Sequence, residues 1–206
     1  MLLCYSIKEK LKEVKMYNLV VFVSGNGSTL QSIIDNITNG TLDAKINLVV
    51  SSNPEAYALE RAKSYNIPTY VIKNAALLES DLELSQELSK YEVNLIVLAG
   101  YLKMIGNILI EKYTIINTHP ALLPKFGGKG MYGMNVHRAV VEAKEEYSGV
   151  TVHYVNSNYD EGNIISQAEV KLEEGETPES LSEKVQVAEK KQLISVIKEF
   201  IEKKES

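Results

Sequence analysis

Cysteine is nearly absent. The 206-residue chain has one, Cys4, so it cannot form an internal disulfide or a cysteine-clustered zinc site, and a reducing cytoplasm suits it. With 5 Pro and 12 Gly, there is little material for a fibrous repeat or a dominant disordered segment. No stretch approaches the roughly 18 consecutive apolar residues of a membrane helix, so no membrane association is expected. Three His and a net charge of −5 argue against a nucleic-acid-coating role. What is present is the composition of one globular domain, 45% hydrophobic and 24% charged, large enough to bury a full core.

Residues 1–15 carry four Lys and two Glu, with Ile7, Leu11 and Val14 at helical spacing. Their charges follow a short apolar start and no small-residue cleavage site appears, which is not the order of a signal peptide. Met16 directly precedes the first strand-like run, so 1–15 reads as an appended extension and 16–206 as the fold proper.

From there apolar runs alternate with amphipathic stretches, the pattern of crossover units in a mostly parallel sheet. Strands are expected at 19–24, 46–51, 69–72, 95–99, 113–117, 150–155 and 164–172. Helices are expected at 28–38, 55–65, 82–91, 136–144 and 178–202, the last carrying Leu193, Val196, Ile197, Phe200 and Ile201 on one stripe. The fold class is α/β: a single-domain, mainly parallel twisted sheet with helices on both faces.

Two local patterns carry chemistry. Ser24-Gly25-Asn26-Gly27-Ser28-Thr29-Leu30 joins the first strand to a helix. Free N–H groups at a helix start, approached closely over glycine, suit a phosphate. A dinucleotide fingerprint needs glycine at position 30, where this chain has Leu30, and no GxxxxGK[ST] pattern occurs. The plainer alternative is a glycine turn with Ser28 as helix cap.

The second pattern is Asn117-Thr118-His119-Pro120-Ala121-Leu122-Leu123-Pro124. Residues i and i+2 of an extended segment point the same way, so Asn117 and His119 present an amide and an imidazole side by side. That pair can donate to one developing oxyanion, as when an amine attacks a carbonyl. A nearby carboxylate could hold the imidazole protonated near neutrality. Taken alone, the motif is equally a polar strand end whose histidine caps a loop.

Together with Val97-Leu98-Ala99-Gly100-Tyr101, and with Gly149-Val150-Thr151-Val152-His153-Tyr154-Val155 running on to Tyr159-Asp160-Glu161-Gly162, these motifs resemble the folate-dependent formyltransferases. The glycine loop narrows the resemblance to the phosphoribosylglycinamide formyltransferase branch, in order over about 17–200. The resemblance implies an α/β sheet with a hairpin-like ending and a formyl transfer from 10-formyltetrahydrofolate to the amine of phosphoribosylglycinamide in purine biosynthesis. It implies that Asn117 and His119 are catalytic and that Asp160 tunes the histidine. Gly27, Ser28 and Thr29 would bind the substrate phosphate, and Gln186 and Glu189 its ribose side. The folate would meet Leu102, Lys103, Met104, Ile105, Asn117, Asn156, Ser157, Asn158, Tyr159 and Asp160. No metal is implied; the partners are the two small molecules, and the assembly is a monomer or homodimer.

This chain departs from the family pattern in places. Lys103 stands where members commonly carry an arginine, keeping the charge but losing the planar fork. The stretch 74–80 holds no arginine where the family has one at the folate tail. The glycine-rich residues 125–137 suit a mobile flap. His137 is expected at the surface on the exposed side of a helix, and His153 in a mainly structural role.

Formyltetrahydrofolate deformylase shares the trio but typically adds an N-terminal regulatory domain that fifteen residues cannot supply. Methionyl-tRNA formyltransferase adds a C-terminal RNA-binding domain and a basic surface. A non-catalytic nucleotide-binding module would need the glycine loop but not Asn117, His119 and Asp160 together.

Overall fold

Strand β1 (Tyr17–Val23) is buried along its whole length, and its side chains divide between two cores. Leu19, Val21 and Val23 pack with Leu30, Ile33, Val196 and Ile197 on one face of the sheet. Val20 and Phe22 pack with Leu84, Leu88 and Leu109 on the other. A strand covered on both sides reads as a continuous apolar run because neither face meets water. The computed structural model describes residues 16–73 and 76–205; the extension read at 1–15 and two residues of the 74–80 stretch lie outside them.

After β1 come α1 (Ser28–Thr38), β2 (Ala44–Ser51), α2 (Tyr57–Ser64), β3 (Thr69–Val71), α3 (Leu77–Leu88) and β4 (Leu95–Leu98). They are followed by α4 (Asn107–Lys112), β5 (Ile115–His119), α5 (Met134–Glu142), β6 (Tyr147–Tyr154), β7 (Ile164–Lys171) and α6 (Pro178–Glu205). The sheet order is β3-β2-β1-β4-β5-β6-β7. The first five strands of that order are parallel, and β6 and β7 join as antiparallel partners, so the expected hairpin-like ending is present.

Differences from the sequence reading cluster where tertiary partners set the boundaries. The fifth strand extends to His119 because β6 pairs with it up to that residue. The third helix lies at 77–88 rather than 82–91, and it turns the carboxylate of Asp81 inward. That carboxylate accepts the N–H groups of Gly106 and Ile108 at 3.2 and 2.8 Å, covering the start of α4, a helix the periodicity did not reveal. Its cap comes from a residue 25 positions away, so no local capping signal precedes it.

Candidate active site

From β1 the chain builds outward to β2 and β3, then returns to place β4 on the other side of β1. At such a reversal the loops leaving two neighbouring parallel strands diverge, opening a crevice at their carboxyl ends. A cleft of about 770 Å³ occupies this position and extends along the end of β5. It is lined by the loop after β1, the loop after β4, the 156–160 loop and one side of α6.

Gly27 has φ +76° and is the N-cap of α1, with no side chain bonded to the first turn. The alternative of Ser28 as cap does not hold: Ser28 is already helical. A Cβ on Gly27 would stand 2.6 Å from the Ala58 Cβ, so the loop rests against α2 at a place only glycine fits. The first-turn N–H groups lack intrahelical partners, and Gly27, Ser28 and Thr29 line the cleft. Arg61 of α2, which sequence reasoning missed, donates Nε to the Asn26 carbonyl at 2.9 Å and Nη2 to Asn26 Oδ1 at 2.8 Å.

Glu189, on α6, accepts hydrogen bonds from the hydroxyls of Thr29 at 2.9 Å and Thr118 at 3.1 Å. One carboxylate thus connects α6, α1 and β5 at the cleft wall. Burial pushes its carboxyl above the ordinary value, against the opposing pull of the two hydroxyls. Gln186 is exposed one turn earlier and also lines the cleft.

The third cluster forms at the seam where parallel β5 meets antiparallel β6. The register sets Asn117 opposite His153 and His119 opposite Thr151, so Asn117, His119 and His153 share one face. Asp160, from the loop after β6, brings Oδ2 to 3.4 Å from His119 Nδ1 and Oδ1 to 3.6 Å from His153 Nε2. Gly128 N–H donates to Asp160 Oδ2 at 3.0 Å. The nitrogen assignments follow from their acceptors. His119 Nε2 lies 2.7 Å from the Phe126 carbonyl and His153 Nδ1 lies 2.8 Å from that of Tyr154, so each of these nitrogens carries hydrogen. The Asn117 Nδ2 group donates one hydrogen to His153 Nε2 at 3.2 Å, and its second remains for a ligand.

On the expectation that Asp160 holds His119 protonated near neutrality, burial and charge pull in opposite directions. Burial is the largest influence and lowers the imidazole, the Asp160 charge and the Phe126 carbonyl raise it, and His153 lowers it further. The net direction is downward, because a cation loses more on leaving water than one carboxylate at 3.4 Å returns. Asp160 moves the other way for its charge: burial raises its carboxyl, but His153, His119 and the Gly128 N–H together bring it below the ordinary value. The geometry sets an Asp160 oxygen beside the ring nitrogen of His119 that the Phe126 carbonyl does not use.

One other histidine is placed differently from the reading. His137 is not at the surface: it is 3% exposed and lines the cleft, and among the described residues its Nδ1 has no hydrogen-bond partner. The apolar pair Val136 and Val140 turns this side of α5 inward and carries His137 with it. His153, expected in a mainly structural role, lies on β6 and accepts from Asn117 Nδ2. Its position opposite Asn117 depends on the β5–β6 register, which a single strand does not disclose.

Of the residues expected to meet folate, Leu102, Lys103, Met104 and Ile105 line the cleft with Asn156, Asn158, Tyr159 and Asp160. Ser157 does not line it. The Leu102 N–H donates to Ser24 Oγ at 3.0 Å, which ties this segment to the end of β1. Among the described residues, no group of three or more His, Cys, Asp or Glu side chains is placed to hold a metal ion, and no helix is long and apolar enough to cross a membrane.

Known proteins with this arrangement carry related names. The family described as "Formyl transferase" matches residues 17–197. A phosphoribosylglycinamide formyltransferase from Bacillus subtilis is 35% identical over 193 residues, covering 90% of this chain and 95% of the relative. A chloroplastic protein of the same name from Arabidopsis thaliana is 40% identical over 191 residues, 90% of this chain and 65% of the relative. The chain thus spans about two thirds of that plant relative, and 63% of the one from Vigna unguiculata. The solved structure of glycinamide ribonucleotide transformylase 1 from Symbiobacterium toebii superposes with a TM-score of 0.83 at 33% identity, covering 91% of this chain and 88% of that one. With the family match running across nearly the whole described sheet, the chain belongs to the formyl transferase family.

Proposed function

We propose that the protein transfers the formyl group of 10-formyltetrahydrofolate to the amine of phosphoribosylglycinamide in purine biosynthesis. The observation that carries this reading is one cleft joining an open helix start at Gly27–Thr29 to the Asn117, His119 and Asp160 cluster. The same-named relatives, found along nearly the whole chain, support it.

In the reaction the amine nitrogen forms a bond to the formyl carbon, the bond from that carbon to folate N10 breaks, and the proton lost by the amine ends on N10. The phosphate sits on the N–H groups of Gly27, Ser28 and Thr29, with Gln186 and Glu189 on the ribose side. The folate lies along Leu102, Lys103, Met104 and Ile105 and the loop Asn156, Asn158, Tyr159 and Asp160. The spare hydrogen of Asn117 receives the oxyanion. The His119 imidazolium, with Asp160 beside it to stabilise the charge, adds its charge to the oxyanion site while the amine's proton passes to the leaving nitrogen.

No step calls on a metal. Residues 16–206 serve as one formyltransferase domain in a cytoplasmic monomer or homodimer, with 1–15 as an extension outside the chemistry.

The test is to follow the formyl group of 10-formyltetrahydrofolate with and without phosphoribosylglycinamide, in buffer containing a chelator. Formylated nucleotide in its presence, and little loss without it, is the expected result. Loss at the same rate without the nucleotide means transfer to water and overturns the reading.

A further inference from the structure

The phosphate reading depends on a loop that presents its N–H groups to the cleft; the Ala58 N–H holds the Gly25 carbonyl at 3.1 Å and the Gln31 N–H holds that of Gly27 at 2.9 Å, while the Asn26–Gly27 peptide between them has no such backbone bond among the described residues. Glycine at φ +76° leaves the adjoining peptide planes many alternatives. The structure supplies the missing constraint from α2. Arg61 spreads its guanidinium over three acceptors: Asn26 O at 2.9 Å, Asn26 Oδ1 at 2.8 Å and Gln31 Oε1 at 3.1 Å. The Tyr57 ring lies 5.0 Å from the guanidinium carbon on the same helix and backs the side chain in that pose.

The consequence follows from peptide geometry. In a trans peptide the C=O and the next N–H point in opposite directions. Arg61 holds the Asn26 carbonyl on the α2 side, so the Gly27 N–H in the same plane points away from α2. Among the described residues, that N–H enters no backbone hydrogen bond of the loop. Gln31 joins the same fork from the second turn of α1, so the loop and the helix start are held as one unit.

We infer that Arg61 is a positioning residue for the substrate phosphate: it touches the loop from behind and sets the direction of the Gly27 N–H that, with the helix start, receives the anion. This rests on the phosphate reading given above and assigns the orientation of that site to a side chain outside the loop. The planar fork is essential, because an ammonium group cannot hold a carbonyl and a side-chain amide in the same plane.

The experiment compares phosphoribosylglycinamide with its phosphate-free riboside as formyl acceptors, in the full-length protein, for wild type, Arg61→Ala and Arg61→Lys. Losing a charge-assisted hydrogen-bonded support of this kind corresponds to about a tenfold rise in KM. That rise is expected for the phosphorylated acceptor in both variants, with kcat, the KM for the riboside and the KM for 10-formyltetrahydrofolate unchanged. An equal rise for both acceptors means general loosening and overturns the inference, and so does full function in Arg61→Lys, which would leave only charge. If Arg61→Ala does not fold, Arg61→Lys carries the same comparison. Wild type that shows no preference for the phosphorylated acceptor while still formylating it removes the phosphate reading and this inference with it, but leaves the formyl transfer standing.

Discussion

The cleft has two working regions built in opposite ways. At the glycine loop the groups offered to a ligand come from one short segment, Gly27 to Thr29, which α2 seats through Ala58 and orients through Arg61. At the β5–β6 seam the groups come from Asn117, His119, Phe126, Gly128, His153 and Asp160, which meet only after an antiparallel pair has closed. A contiguous site needs its own turn and the one side chain, Arg61, that orients it. An assembled site is lost when any member is removed, because each holds the protonation state or orientation of another.

The sharpest way to break that contrast is at the seam. His119→Ala and Asn117→Ala should each lower the single-turnover rate of formyl transfer about 10²-fold to 10³-fold, with binding of both substrates nearly unchanged, because these groups act mainly in the transition state. Near-normal turnover in His119→Ala would sink the mechanism. The double variant Asn117→Ala with Asp160→Asn should cost less than the product of the single losses, since the residues act as a unit.

At the loop the expected effect is smaller and of another kind. Gly27→Val forces a branched side chain into φ +76° and against Ala58, at a cost of about 1–3 kcal/mol in stability. Calorimetry should find nucleotide binding weakened more than folate binding; equal loss for both would place the phosphate elsewhere.

The pH behaviour sharpens the seam further. The Asp160 charge raises the His119 imidazole, although burial wins. Removing it in Asp160→Asn should therefore lower the His119 titration midpoint seen by NMR, and move the acid limb of the activity profile to lower pH in whatever activity survives. In the wild type both groups titrate below their ordinary values, so the stability they contribute is present at neutral pH and is lost as pH falls through the folded values. An unchanged His119 midpoint in Asp160→Asn would show that the carboxylate at 3.4 Å does not govern the imidazole.

The smallest effect is expected at Lys103, a half-buried cation on the cleft wall. Contacts of such groups are worth about 0.2–1 kcal/mol, so Lys103→Ala should raise the substrate KM by no more than about fivefold. Steady-state kinetics with each substrate varied in turn would identify which ligand it meets.

The legibility of the molecule follows the same division. The residue range of α1 and the strand order of burial in β1 are written locally, in a helical repeat of Leu30, Ile33 and Ile34 and an unbroken apolar run. Asn117 and His119 could be paired from their i, i+2 spacing alone. Helix α4 could not be found this way, since Asp81 caps it from another helix, and neither could the inward turn of His137, which its apolar neighbours impose.

What the sequence determined by itself was the set of parts: the alternation of strands and helices, the glycine loop, the amide beside the imidazole and the carboxylate among the turn residues. These follow from backbone sterics and side-chain periodicity, which act over a few residues. Only the tertiary structure decided how the parts work together. It set the burial of His119 against the Asp160 charge, gave Asn117 its partner by setting the β6 register, and supplied Arg61 to orient the loop. Solvation and pairing depend on which distant segments come close, and those distances are set by packing across the whole sheet.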